Sequence, residues 1–181
     1  MKSDTKNILL HSLHELLKEK PLSNITVQDI IENCGASRAT FYRHFKDKYD
    51  LMNWDCKEYI EKCIVKNPNL TTYKEILFRC VCNTKDNCDY FIEIIKFEGQ
   101  NSYLDFLFHF STDCWYKYFI QENDKNKIND DVVWSVNFFH AGLVQIMKDW
   151  LNSNCAATSE KIAQLLFDCT PPLLLRYFIN E

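Results

Sequence analysis

The chain has 181 residues, 46% of them hydrophobic and 25% charged, with a formal net charge of −4 and only three glycines and four prolines. That composition excludes a disordered or fibrous chain and suits a globular core, in one domain or in a small domain fused to a larger one. No run of about 18 apolar residues offers a membrane span, and few turns can rest on glycine, so an all-α protein of long helices and short loops is expected.

The first helix is expected from about Asp4 to Lys18, because Leu9, Leu13, Leu16 and Leu17 recur at helical spacing on one stripe. This opening alternates polar and apolar residues and lacks the unbroken apolar stretch of a signal peptide, which predicts a cytoplasmic protein. Pro21 ends the helix and "PLSNI" connects onward. Thr26 should cap a second helix, with Asp29 three residues on as its capping-box partner, and Val27, Ile30 and Ile31 turned inward. Gly35 should close it in the left-handed region.

Ser37 should cap a third helix, Arg38 to about Phe45. Phe41 and Phe45 share a face and must enter the core, leaving Arg38, Ala39, Thr40, Tyr42, Arg43 and His44 outward or sideways. Two short helices about a glycine turn, the second cationic and facing solvent, describe a helix-turn-helix. A fourth helix starts near Asp47, with Lys46 and Lys48 at its mouth. Residues 1–48 carry eight Lys/Arg against six Asp/Glu, and residues 49–181 thirteen against nineteen. A mildly basic head on an acidic body suits a head that meets a polyanion.

From Thr71 onward the pattern stays helical, with Asp86 or Asn87, Asn101 or Ser102, Asp130, and Thr158 or Ser159 as caps. The stretch "ENDKNKINDD" reads as a polar loop. No repeat, low-complexity tract or strand-like alternation interrupts the pattern.

The stretch "ITVQDIIENCGASRATFYRHFKDKYDLM" resembles the tetracycline-repressor (TetR/AcrR) family of bacterial transcription regulators, with a detailed match over roughly residues 4–55. The body resembles that family in outline, and its small regulators of the dihydroxyacetone-kinase activator type most of all. The resemblance implies a helix-turn-helix DNA-binding domain at 1–48 and a helical regulatory and dimerisation domain at 49–181. It implies backbone contacts from Thr40, Tyr42 and Lys48, and base contacts around Arg38, Ala39 and Arg43.

Physical chemistry assigns similar roles. Phosphate contacts supply affinity and base edges supply sequence choice. The helix N-terminus and the hydroxyls of Thr40 and Tyr42 suit phosphate, Lys46 and Lys48 neutralise backbone charge, and Arg38 and Arg43 reach guanine edges. His44 suits either. Singly, Tyr42 and His44 read equally well as packing residues, and Arg38 or Lys48 as solvated charges. Together, after a capped turn, they point to double-stranded DNA.

One helix-turn-helix binds weakly, so a homodimer on a palindromic operator is expected. The segment Val132–Leu151 is apolar on two faces, one for its own body and one for a twin. Phe139, Leu143, Ile146, Met147, Trp150, Leu165, Leu166, Leu173 and Leu174 are the expected interface, and Ala141-Gly142 permits close approach. Phe78, Tyr90, Phe91, Phe106, Phe110, Trp115, Tyr116 and Phe138 are candidates for an effector cavity, with His109 and His140 as polar anchors. Such an aromatic stripe is more often plain core, and a body that binds a partner protein competes with a small-molecule site. The alternative for the whole chain is an interaction module whose acidic body docks a partner.

Other chemistry finds little support. There is no glycine-rich phosphate loop, His-Glu-x-x-His or nucleophile elbow. His11 and His14 lack a third ligand, so no enzyme activity, metal or cofactor is expected. Nine cysteines, an odd number without Cys-x-x-Cys pairs, read as small buried hydrophobes rather than a disulfide framework or zinc site.

Overall fold

The computed structural model describes residues 2–65, 72–99, 101–119 and 128–177. Ten α-helices and no strand occur among them: α1 (Lys2–Leu17), α2 (Val27–Cys34), α3 (Arg38–His44), α4 (Lys48–Val65), α5 (Tyr73–Asp86), α6 (Cys88–Ile94), α7 (Tyr103–Cys114), α8 (Asp130–Asn152), α9 (Ser159–Asp168) and α10 (Pro172–Leu175). A 3-10 turn at Leu22–Asn24 and a π turn at Trp115–Phe119 complete the set.

The head forms where the local signals place it. Leu9 and Leu13 on α1, Ile30 and Ile31 on α2, and Phe41 and Phe45 meet in one core. Burying side chains of this size stabilises by roughly 1.5–3 kcal/mol each. Ser12 donates its hydroxyl to the Ile30 carbonyl at 2.8 Å, which sets the register of α1 against α2. Thr26 and Asp29 form the expected reciprocal cap.

In the body α5 lies along α9 and α7 along α8, while α4 packs on both α5 and α7. Ser102 and Thr158 cap α7 and α9 as expected. The cap of α8 is Asn129 rather than Asp130, because its side chain accepts from Val132 N–H. The last helical stretch is divided into α9 and α10 at Thr170-Pro171. Most of the polar loop expected at 122–131 lies outside the described residues.

The cysteines correct one expectation. Cys88, at the start of α6, is disulfide-bonded to Cys155, beyond the end of α8, 67 residues away. Cys56 and Cys114 are the buried small hydrophobes anticipated, and burial pushes both thiols up to about 12. Cys169 is exposed. Among the described residues no helix is long and apolar enough to cross a membrane.

Candidate nucleic-acid interface

The outward face of α3 is built by three local devices. Gly35 takes φ +68°, a left-handed value that costs other residues energy, and turns the chain sharply after α2. Ser37 then accepts from Thr40 N–H at 3.1 Å, and the two hydroxyls lie 2.8 Å apart. Phe41 and Phe45, with ring centroids 6.0 Å apart, anchor the opposite face in the core.

Arg38, Ala39, Tyr42, Arg43 and Lys46 are consequently exposed, and Thr40 and His44 half-buried. Tyr42 is 48% exposed, with its ring edge-on to that of Phe41, centroids 5.5 Å apart. The Arg38 guanidinium lies 5.6 Å from the Tyr42 ring centroid, so two long side chains are loosely ordered before any ligand arrives. Guanidinium, phenol and hydroxyl groups thus share one convex surface, a geometry suited to groove edges and phosphate oxygens.

Lys48 departs from this pattern. Its ammonium turns away from α3 and donates to the carbonyls of Leu22 (2.6 Å), Ile25 (2.5 Å) and Ser23 (3.3 Å). Desolvation lowers its pKa, against the opposing pull of Asp29 and Asp47.

The residues expected to line an effector cavity do not come together. An apolar cavity of about 70 Å³ does lie inside the body, lined by residues such as Leu77, Val81, Phe91, Tyr103, Leu107, Leu143 and Met147. Of the ten candidates, eight aromatics and two histidines, only Phe91 contributes. His109 and Phe138 are exposed, Phe106 stacks on Phe110 with centroids 5.3 Å apart, and Phe106 faces a surface groove instead. On α7 the inward phase is Tyr103 and Leu107, one position away from the stripe expected. The Tyr90 hydroxyl is buried beside His14, ring centroids 4.6 Å apart, outside the cavity. His140 is buried too, its Nδ1 2.8 Å from the Val136 carbonyl; burial lowers its pKa to about 4, so it is neutral and donates there.

The two-faced character of α8 holds, but its allotment is corrected. Phe139, Met147, Trp150 and, on α9, Leu166 are buried within the protomer, and Leu143, Ile146 and Leu173 are partly covered. The uncovered side carries Trp134 (66% exposed), Phe138 (81%), Ala141, Gly142 and Gln145, with Leu165 of α9 (43%) also uncovered. Nothing stands within 4 Å of a Cβ built on Gly142. Trp134 escaped the sequence reading although its spacing to Phe138 and Ala141 marks the stripe.

Comparison with known proteins agrees with this architecture. Residues 9–53 match "Bacterial regulatory proteins, tetR family", and residues 71–171 match "Transcriptional regulator C-terminal region" of the same family. The HTH-type transcriptional regulator SAB2452 of Staphylococcus aureus is 32% identical over 100 residues, 55% of this chain and 44% of that protein. The uncharacterized HTH-type transcriptional regulator YerO of Bacillus subtilis is 31% identical over 68 residues, 38% of this chain and 24% of that one. The matches thus span less than half the length of either relative.

Among solved structures, the fold is similar to dihydroxyacetone kinase operon activator DhaS, with TM-score 0.65 and 17% identity over 97% of this chain and 98% of that one. A TetR regulator from Streptococcus agalactiae 2603V gives 0.61 and 22% over 93% and 94%. The head matches the tetR pattern and more than half the chain matches the family's C-terminal region, so this chain belongs to the tetR family of DNA-binding transcriptional regulators, which are not enzymes.

Proposed function

We propose that the protein binds a palindromic operator as a homodimer and that its body controls the spacing of the two α3 helices. The observation that carries this reading is the exposed cationic face of α3, held rigid from behind by Phe41 and Phe45. In it Arg38, Ala39 and Arg43 meet base edges, and Thr40, Tyr42 and Lys46 meet phosphates, with His44 at the rim.

The α8 face bearing Trp134 and Phe138, with Leu165 of α9, pairs with its twin, and Gly142 lets the helices approach closely. A dimer sets two recognition helices about 34–36 Å apart, one turn of the duplex. Control enters through α4, which links the head to α5 and α7. A cavity of about 70 Å³ is well below the 300–1,000 Å³ usual for ligand sites. An effector of ordinary size therefore parts α4, α5 and α7 as it enters, and that displacement reaches the head.

The test is a mobility-shift titration with a duplex selected by the wild-type protein from a random-sequence pool. Arg43→Ala should weaken binding by about 1–3 kcal/mol and relax base preference, and Tyr42→Ala should weaken it across sequences. Unchanged binding by both variants would remove α3 as the contact face.

A further inference from the structure

Lys48 opens α4, yet its side chain runs back to the connector between α1 and α2. Its three donated hydrogen bonds, to Leu22, Ser23 and Ile25, match the three hydrogens that an ammonium possesses. The Leu22 carbonyl also accepts from the Ile25 N–H, and Lys48 adds donors for the connector's later carbonyls. The 3-10 turn spans only three residues and is followed by extended backbone at Ile25, so its last carbonyls have no continuing helix to receive donors. The residue after Ile25 is Thr26, the cap of α2. Negative charge surrounds the ammonium, from Asp47 and from Asp29, which Lys20 also holds at 3.0 Å.

We infer that Lys48 is a positioning residue, a pin that fastens the start of α4 to the α1–α2 connector and so orients the helix pair without touching DNA. The inference rests on the DNA-binding reading of the head but assigns this cation to the protein rather than to phosphate. To reach a phosphate, Lys48 must abandon three carbonyls; exposed Lys46, two residues earlier, gives up none through its side chain. Displacing α4 pulls on Leu22–Ile25, and through Thr26 on α2 and α3. The coupling path is one residue long.

The experiment measures binding of the pool-selected duplex by fluorescence anisotropy across a salt series, for wild type, Lys46→Met, Lys48→Met and Lys48→Arg. Losing one phosphate contact reduces the slope of log K against log salt by about 0.9, and a substitution carried by both copies of the dimer reduces it by about 1.8. Lys46→Met should show that reduction. Lys48→Met should weaken binding several-fold at every salt concentration with the wild-type slope, and in the free protein it should speed exchange of the Ile25 amide, which donates to Leu22. A slope reduced as in Lys46→Met, with Ile25 exchange unchanged, overturns the pin.

Lys48→Arg decides the matter if the methionine variant does not fold. Arginine keeps the charge, but its planar fork does not converge on three carbonyls, so weakened binding with a full slope is expected. Wild-type affinity and Ile25 protection in Lys48→Arg would overturn the inference. Exchange at Ile25 is read without DNA, so failure of the α3 assignment in Arg43→Ala stays distinguishable from failure of the pin.

Discussion

Trp134 and Phe138 stand one turn apart on α8 and both point outward, 66% and 81% exposed. Two large apolar rings on one stripe, beside the open surface at Gly142, form a patch of the kind that marks an association surface. Phe138→Glu should therefore turn a dimer into a monomer in sedimentation velocity and weaken operator binding, with the helical circular dichroism unchanged. Sedimentation identical to wild type would place the interface elsewhere.

The α2 cap carries an acid-sensitive charge. The Asp29 carboxyl sits at about 2 rather than 3.8, first because the Thr26 backbone N–H donates to it, then because of the Thr26 side chain and Lys20. A carboxylate lowered by folding adds stability above its unfolded pKa and loses it as pH falls through the folded value. Stability should therefore drop between pH 3.8 and about 2, and Asp29→Asn should flatten that part of the denaturation profile. A profile unchanged by the substitution would contradict the assignment.

His140 acts at milder pH. Burial lowers its pKa from 6.5 to about 4, against the opposing hydrogen bond to Val136. The folded protein keeps the ring neutral while the unfolded chain takes up a proton, so stability falls as pH drops below 6.5 and levels off near 4. Between about pH 7.5 and about pH 5 the loss is on the order of 2 kcal/mol. Chemical denaturation at the two values should show it in wild type and show less in His140→Gln, where no ring titrates.

The Cys88–Cys155 bond closes a long loop, joining residues 67 positions apart in the sequence. Loop-closure entropy gives it a stabilisation of about 4 kcal/mol at most. A reductant should lower the wild-type melting temperature and leave Cys88→Ala unaffected. Equal response of both proteins would show that the bond contributes nothing.

The head was legible because its determinants are local. Thr26 with Asp29, Gly35, and Ser37 with Thr40 act over three residues or fewer, and Phe41 with Phe45 over one turn, so each can be read without knowing what lies across the core. The cap of α8 failed by a single position, since Asn129 and Asp130 are both good caps and only the α8 backbone chooses between them.

Long-range geometry was not legible. Apolar residues cover so much of α8 that periodicity establishes two faces without saying which one the protomer covers; packing against α7 and α10 turned Phe139 and Trp150 inward and Trp134 outward. The same rotational freedom put Tyr103 and Leu107, not Phe106 and Phe110, on the inner side of α7. Lys48 meets carbonyls more than 20 residues away, and Cys88 finds Cys155 only because α6 rests against the end of α8. The amino-acid order alone determined an all-α chain with a capped, cationic helix-turn-helix, because capping and turning act between near neighbours. Tertiary structure alone decided the outward face of α8, the cavity lining and the partners of Lys48, because each depends on how helices rotate against one another.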